Sequence, residues 1–393
     1  MSFRRAVILT AAILMLSSAV APGAPETPQT TGVQQGAQTK PAPKPKKPPS
    51  AKLAQPWPDA GKMAEQRREA EARRLFQQSD PLVFTITADF KAVNRDRNPA
   101  STRTFPAVLT TTGQAGTSSP LHVTLRTRGN LRLNPRTCGF VPLAVNFVQK
   151  EAAGTVFDGQ SKLKLVTHCQ NDDRADQRVL REYLAYRLHN LVTRHSFRVR
   201  LGRATYVDAP SGKTVATRNA VFIEDEDDVA RRMEGRAVSL PRMTFDDFEQ
   251  DSLTQMMLFQ YLIGNTDFSI FALHNVAMVT TPAKVFYPIT WDFDVSGLVD
   301  PPYGIPQPIL GIASIRERLY RGPCRTLEEF EPSLAVFRAR QPEAMALVDS
   351  IPGLDQRDRR DVSGFLGQFF ALLGRKNALK EELVDKCRKQ PTM

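Results

Sequence analysis

The sequence predicts an α+β protein of two lobes, a β-rich first lobe and a mainly helical second lobe. From about Asp80 to Asp225, apolar and polar residues alternate with a period of two, and clusters of Pro, Gly and Asn interrupt the alternation. This pattern is typical of half-buried β-strands joined by turns. From Thr244 onward, apolar residues recur at helical spacing instead. We therefore expect a β-rich lobe over residues 80–240 and a helical lobe over residues 241–393.

Length and charge exclude several classes of protein. The chain has 393 residues, 41% of them hydrophobic, so it can bury a sizeable core. Its net charge is +12, but residues 1–78 hold 12 basic and 5 acidic residues, whereas residues 79–393 hold 41 and 36. The folded part is nearly balanced, and its basic residues are not interleaved with aromatic residues as a base-stacking surface requires. We expect no nucleic-acid partner.

The amino terminus has the pattern of a secretory signal peptide over residues 1–21. Arg4 and Arg5 precede an eleven-residue apolar run ending at Leu16, and small residues follow it. The run is shorter than the roughly 20 residues that span a bilayer. We expect an exported protein, in the periplasm or outside the cell.

The next segment, residues 22–58, is predicted to be a solvated linker. It holds ten of the 29 prolines together with several lysines, a composition that favours extended chain over a packed core. Its positive charge allows a weak contact with an anionic cell envelope. Residues 59–79 are rich in helix formers and have little apolar face, so we expect an exposed helix there.

The β-rich lobe is expected to contain seven strands and one long helix. The helix is predicted over residues 177–192, where Leu180, Leu184, Leu188 and Leu191 form one stripe. The strands are predicted at LVFTITA, FPAVLTTT, LHVTLRTRG, VPLAVNFV and SKLKLVT before the helix, and at FRVRLGRATYV and TRNAVFIED after it.

The helical lobe begins with a capping pattern. Thr244 is followed three residues later by Asp247, which predicts the start of a long helix that ends at Gly264. Two short strands, NVAMVTT and KVFYPITWDFD, come next. The chain from about Ser314 is expected to be helical.

Four cysteines, two in each predicted lobe, are an even set in a chain with a signal peptide. Pairing within each lobe gives Cys138–Cys169 and Cys324–Cys387. Zinc is the alternative, prompted by His168 beside Cys169, but the sequence has no CxxC or HxxxH spacing.

The chemistry is concentrated in the second lobe. The sequence has no GxSxG, Walker-type, HExxH or GxGxxG motif. It does have GNTDFSIFALHN, which contains Asp267 and Asn275, and WDFD, which contains Asp292 and Asp294. Protein kinases arrange their catalytic parts in the same order: a helix, a loop with Asp and Asn, a two-stranded ribbon and then a second Asp. In kinases the loop Asp accepts the proton of the acceptor hydroxyl, and the loop Asn and the second Asp bind divalent metal ions. Taken singly, the same residues also suit an Asx-turn or structural acids.

These segments resemble the atypical kinases of the spore-coat CotH type and, more distantly, HipA-like kinases. The resemblance covers about residues 123–299 and rests on LRTRGN, VLREYLAYRLHNLV, GNTD and WDFD. It implies a bilobal kinase-like fold, ATP, Mg²⁺ or Mn²⁺, and phosphorylation of a protein Ser or Thr. By the same resemblance, Asp267 is the catalytic residue, Asn275 and Asp292 are metal ligands, and Asp294 is an auxiliary ligand.

The cation that would bind phosphate is less clearly marked. Lys164, on the strand before the helix, is the first candidate, and Lys162 on the same strand face is the second. Glu182 would pair with the lysine by analogy, which requires the helix to be buried on both sides. Arg181 is an alternative phosphate contact, and Arg128 belongs to a segment that can turn over the phosphates.

The sequence thus predicts an exported monomer that transfers phosphate from ATP to a protein hydroxyl. ATP is scarce outside the cytoplasm, so two alternatives stay open. One is a non-catalytic envelope protein on a degenerate kinase-like fold. The other is a metal-dependent phosphotransferase or hydrolase that acts on envelope material.

Overall fold

A computed structural model describes residues 52–112 and 118–391, all of which belong to one compact unit. The predicted signal peptide and nearly all of the predicted linker lie outside the described residues. The first described helix, α1 (Ala60–Glu71), is capped by Asp59, and Ala70 is its one buried residue. It lies within the segment predicted to be an exposed helix.

Seven strands lie in the first half of the described chain. Each coincides with one of the predicted strand segments, because the alternation of apolar residues marks the face of each strand that is buried. The strands are β1 (Leu82–Ala88), β2 (Phe105–Thr112), β3 (Ser118–Thr127), β4 (Leu143–Phe147), β5 (Lys162–Val166), β6 (Val199–Asp208) and β7 (Thr214–Ile223).

These strands close into a barrel in the order β1, β2, β3, β4, β5, β7, β6. Neighbouring strands are antiparallel except at the closure, where β1 pairs in parallel with β6 and Leu82 lies opposite Gly202. A Cβ atom at Gly202 would lie 2.6 Å from the Phe84 ring and 2.9 Å from the Leu82 carbonyl oxygen. The closure therefore requires glycine at this position.

Four helices accompany the barrel strands. Two are short, α2 (Phe90–Arg95) and α3 (Gln149–Ala152), and a third, α5 (Glu226–Arg232), follows β7. The long helix α4 (Asp173–Val192) is capped by Asp172 and is buried on nearly all sides, which is the condition that an inward-facing Glu182 requires.

The second half combines a small sheet with five helices. The sheet contains β8 (Arg236–Val238), β9 (Val276–Thr280) and β10 (Phe286–Thr290), with β9 in the middle. The helices are α6 (Gln250–Leu262), α7 (Leu327–Ala339), α8 (Gln341–Ser350), α9 (Gln356–Leu373) and α10 (Lys376–Leu379).

The start of α6 differs from the prediction. Thr244 and Asp247 form the expected capping box, but it caps a single 3₁₀ turn, Phe245–Asp247. Phe248 is extended, and Glu249 then caps α6 through the amides of Asp251 and Ser252. A capping box marks a helix start without fixing its length, so the pattern alone could not show this interruption.

Two hydrophobic clusters hold the described residues together. One fills the barrel and includes Phe84, Leu125, Val145 and Phe222. The other joins α4, the outer face of β6 and β7, and the helices of the second half. The helical half therefore packs against the barrel wall through α4.

The predicted bilobal kinase-like fold is wrong. The β-rich part is a closed seven-stranded barrel, with α4 and the second half packed on its wall. Period-two alternation identifies which residues face inward, but it is the same for an open sheet and for a barrel. Closure depends on the pairing of β1 with β6, strands far apart in the sequence, which no local pattern encodes.

The four cysteines are paired as the sequence predicts. The sulfur atoms of Cys138 and Cys169 are 2.05 Å apart, and those of Cys324 and Cys387 are 1.91 Å apart. Both pairs fit an oxidising location. Across residues 52–112 and 118–391, none of the helices combines the length and hydropathy that crossing a membrane demands.

Candidate functional site

A cavity of about 430 Å³, here called the acidic cavity, is lined by Pro142 and by residues from four other parts of the chain. The connection after β3 contributes Arg128–Arg132, and β5 contributes Lys164. The loop after α6 contributes Asp267 and Leu273–Asn275, and the segment after β10 contributes residues 291, 292, 294 and 295. Asp267 and Asp292 therefore line one cavity, as the sequence predicts.

The loop that carries Asp267 is fixed by buried polar groups. Gly264 has a φ of 62° and ends α6. Asn265 is 1% exposed, and its side chain accepts the Asp267 backbone N–H at 3.0 Å. The Asn265 amide in turn donates to Oε1 of Gln260 at 3.0 Å, and Gln260 donates to Thr290 on β10. This chain of hydrogen bonds ties the loop to the sheet.

The Asp267 carboxylate is held by two neighbours. Nε2 of His274 lies 3.1 Å from one oxygen. The amide of Asn275 donates to the other oxygen at 3.2 Å and to the Asp267 carbonyl at 2.8 Å. Because the Asn275 nitrogen is used in this way, its amide oxygen is the atom left to face a cation.

Arg321 stabilises this loop from below. Its guanidinium donates to the carbonyl oxygens of Thr266 at 2.5 Å and Phe268 at 2.8 Å. The side chain is 7% exposed and lies near enough to Asp267 for their charges to interact. A buried cation thus lies behind the loop carboxylate.

Asp292 and Asp294 line the opposite side of the cavity. The backbone N–H of Asp292 donates to the Tyr186 hydroxyl at 2.9 Å, and Oδ2 of Asp292 lies 3.7 Å from Arg128. Between the two acids, Phe293 is fully buried, with its ring 4.6 Å from that of Tyr186. Phe293 is therefore part of the core, while the acids on either side of it line the cavity.

Unusual backbone conformations cluster at this cavity. Leu273, Asn275 and Asp292 have φ values of 52°, 54° and 61°. Asn and Asp tolerate the left-handed region better than most residues, whereas leucine does not. Such conformations persist where the surrounding structure enforces them, and they are common at binding and catalytic sites.

Burial and like charge alter the acids in this region. Burial, followed by the charge of Asp292, raises the pKa of Asp294 to about 7. Burial, followed by the charges of Asp294 and Asp292, also raises the pKa of Glu182 well above its usual range. Three acids in so dry a region repel one another, and a bound cation would relieve that repulsion.

Lys164 faces the acidic cavity, but Glu182 is not its partner. Its ammonium lies 2.7 Å from Glu226, at the start of α5, and 3.9 Å from the centre of the Trp291 ring. Glu182 is 2% exposed and interacts instead with the charges of Asp294, Asp292, Arg132 and Arg128.

Two other predicted residues lie away from the cavity. Lys162 is half-exposed and lies 3.7 Å from Asp225. Arg181 is 8% exposed and forms ion pairs with Asp358 and, at 2.8 Å, Asp361. With both carboxylates engaged, Arg181 joins α4 to α9 and has a structural role.

The donor set suits a small hard cation that also binds substrate. In the described part of the chain, no group of three or more His, Cys, Asp or Glu side chains is arranged as a complete metal site. Mg²⁺ typically uses only one or two protein carboxylates and takes its remaining ligands from phosphate and water. Asp292, Asp294 and the amide oxygen of Asn275 fit this requirement.

Several residues at the cavity were missed by sequence reasoning. Trp291 and Glu226 position Lys164, Tyr186 positions Asp292, and Tyr303 donates to Asp294 at 3.2 Å. The position of Trp291 directly before Asp292 was the one available signal. Tyr186 lies in the segment VLREYLAYRLHNLV, but nothing in that segment marks it as a contact of Asp292. Glu226 and Tyr303 come from segments without a recognisable motif.

Comparison with known proteins gives no family. No protein-family model matches this chain, and a search of curated proteins finds no relative.

Proposed function

We propose that this protein is an exported, metal-dependent phosphotransferase that moves the terminal phosphate of ATP to a protein hydroxyl. The proposal rests on one observation, the convergence of Asp267, Asn275, Asp292, Asp294 and Lys164 on a single cavity. It connects the chain to CotH-type kinases through these site residues and not through a shared fold.

Asp267 is suited to orient the acceptor hydroxyl. His274 and Asn275 fix its carboxylate, and the buried Arg321 lies behind the loop. As the hydroxyl oxygen bonds to phosphorus and the bond to ADP breaks, Asp267 accepts the hydroxyl proton.

The two acids after β10, together with Asn275, are suited to hold the metal ion that accompanies the phosphates. Asp292, Asp294 and Asn275 would hold Mg²⁺ or Mn²⁺, which neutralises charge on the transferred phosphoryl group. Lys164 and Arg128 supply positive charge from the barrel side of the cavity. The left-handed backbone of Asn275 and Asp292 and their contacts with Asp267 and Arg128 set the positions of these side chains before the ligand arrives.

The location is part of the proposal. The residue pattern at the amino terminus and the two cysteine pairs support export to the periplasm or the cell exterior. A protein acceptor in that compartment would need a local supply of ATP.

The direct test measures transfer of labelled phosphate from ATP to the protein itself or to added casein, with Mg²⁺ or Mn²⁺. Asp267→Asn keeps the shape of the side chain but cannot accept the proton. We expect turnover to fall by about 10²–10⁴-fold while ATP binding, measured by calorimetry, persists. Asp292→Ala should abolish metal-dependent ATP binding.

The exposed Asp246, which has no contact with the cavity, supplies matched controls. Asp246→Asn and Asp246→Ala should behave like the parent. If the parent neither binds ATP nor transfers phosphate, or if all four variants equal the parent, the protein is not a phosphotransferase of this kind. A non-catalytic envelope protein would then be the better interpretation.

A further inference from the structure

A second pocket of about 610 Å³, here called the arginine pocket, lies beside the acidic cavity. Its walls are the 132–137 segment, the amino-terminal half of α4 and the chain after Asp294. Arg132 and Asp294 line both spaces. The volume is in the range that small-molecule sites occupy.

Four arginines line this pocket, and their ion pairs are few. Arg174 has one carboxylate neighbour, Asp358, at 3.5 Å. Within the described ranges, the other three have no carboxylate within ion-pair distance; they are Arg132, Arg136 and Arg178.

Their remaining contacts are with backbone oxygens. Arg178 donates to the carbonyl of Asp300 at 3.2 Å, and Arg132 donates to the carbonyl of Thr167 at 2.5 Å. Outside the pocket, Arg203 is paired with Asp176 on α4 at 2.9 Å. Asp294 and Glu182 also line the pocket, and their charges interact with that of Arg132. Arg136 and Arg178 form no ion pair among the described residues, so they are the cations most available to a bound anion.

Two buried polar atoms in the pocket wall lack partners. Nε of Arg132, a residue 8% exposed, and Oε1 of Glu182, a residue 2% exposed, have no hydrogen bond. Leaving such atoms unpaired costs free energy, and a bound ligand could satisfy both. An anionic oxygen suits the arginine, and a hydroxyl suits the carboxylate.

Part of the remaining wall is apolar. Val179, Val299, Pro302 and the Tyr303 ring face the same space. Asp172 lines the pocket as well as Glu182 and Asp294. Its carboxylate is already engaged, because it accepts the Ala175 N–H at 2.8 Å as the cap of α4. A ligand therefore meets the more exposed Arg136 and Arg178 at the rim, an apolar surface, and the unpaired atoms of Arg132 and Glu182.

We infer that the arginine pocket binds a small anion that carries a phosphate or carboxylate group on a compact apolar body. The anionic group contacts Arg132, Arg136 and Arg178, and the apolar body lies against Val179 and Val299. This inference does not depend on the proposed phosphotransfer.

The test uses calorimetry on the full chain in EDTA, without nucleotide, so that the acidic cavity holds no metal. The probes are phenyl phosphate and benzoate, with benzyl alcohol as the uncharged control. We expect at least one anion to bind and the alcohol not to bind. The preferred anion identifies the group that the pocket recognises.

Variants locate the binding site. Arg136→Gln combined with Arg178→Gln removes two rim charges and should lower the affinity for the anion by about tenfold or more. Arg178→Lys keeps the positive charge and should lose less affinity for the anion. Arg360→Gln combined with Arg375→Gln, two exposed arginines elsewhere, is the matched control and should leave affinity unchanged.

Lys164→Gln separates the two spaces, because Lys164 lines only the acidic cavity. Affinity for the anion should persist in this variant. The inference is overturned if neither anion binds, if the rim double variant binds as the parent does, or if Lys164→Gln loses the anion. Failure of ATP transfer would leave the inference intact.

Discussion

The barrel interior and the acidic cavity are built on opposite principles. The barrel holds apolar side chains such as Phe84, Phe157 and Phe222, whose rings pack at centroid distances of 5.1 and 5.4 Å. The cavity region holds buried acids and arginines, including Asp294 at 7% exposure and Arg132 at 8%. Burial of the apolar side chains in the barrel stabilises the fold. Burial of the charged side chains around the cavity opposes folding unless a ligand compensates their charges.

The difference indicates how stability and binding are divided. The barrel supplies a rigid wall on which Lys164 and Arg128 are mounted, and the cavity carries repulsion between acids that a bound cation would relieve. Substitutions in the barrel should therefore change stability, and substitutions in the cavity should change binding with little loss of stability or with a gain.

The largest effect is expected for Phe222→Ala. Phe222 is fully buried and contacts two other rings, so its truncation should lower the free energy of unfolding by about 3–5 kcal/mol. Urea denaturation measures the loss. Val215→Ala on the same strand, at a residue 36% exposed, is the control and should cost much less. Equal losses in the two variants would mean that the barrel interior is not the source of stability.

Asp294→Asn should stabilise the protein, and the gain should depend on pH. The pKa of Asp294 is raised to about 7, so the native state retains a proton that the unfolded state releases near pH 4. The parent therefore loses stability as pH rises from about 4 to about 7, and the loss is constant above that.

The asparagine variant lacks this loss of stability. Its free energy of unfolding should exceed that of the parent by on the order of a few kcal/mol at pH 8, and the difference should shrink toward pH 4. Melting temperatures across this range in EDTA measure it. Added Mg²⁺ should stabilise the parent more than the variant. A difference that does not vary with pH would contradict the assignment of the buried proton.

A smaller effect is expected for Glu226→Gln. The variant removes the carboxylate 2.7 Å from Lys164 but leaves the ammonium over the Trp291 ring. Because Glu226 is about half-exposed, stability should fall by less than about 1 kcal/mol. In a Trp57→Phe background, Trp291 is the sole tryptophan, and its fluorescence should change when Lys164 moves. Unchanged emission would show that Glu226 does not position the lysine.

The smallest effect is expected for His274→Gln. A hydrogen bond to Asp267 raises the pKa of His274, so this contact stabilises the protein below about pH 6.5 and is lost as pH rises through the raised pKa. The side chain is 47% exposed, and the loss should stay below about 1 kcal/mol at pH 5.5. Urea titrations at pH 5.5 and 8.5 measure it, and a larger loss at the higher pH would contradict the pairing.

Much of the local structure could be predicted from the sequence. The strand segments follow from the alternation of apolar and polar residues, and the long helix α4 follows from its stripe of leucines. The pairing of the four cysteines follows from the signal-peptide pattern and from the presence of two cysteines in each half. The closed barrel could not be predicted, because closure depends on β1 meeting β6 and on space that only Gly202 leaves.

The candidate site was predictable where its residues share a segment. Asp267, Asn275, Asp292 and Asp294 lie in two short stretches joined by one ribbon, so their proximity follows from the order along the chain. The partner of Lys164 was not predictable. Glu226 reaches it because β5 pairs with β7, which leads directly into α5, whereas the analogy pointed to Glu182.

The closure of the barrel also sets an order of events during folding. Leu82 leaves the ribosome about 120 residues before Gly202, the residue that it faces in the finished barrel. Until then, one edge of β1 has no strand to pair with, and joining it to β6 requires closing a long loop. Such distant pairings form slowly and leave strand edges open to other chains. The newly made protein is therefore most prone to self-association before β6 arrives, and a partner that covers β1 would protect it.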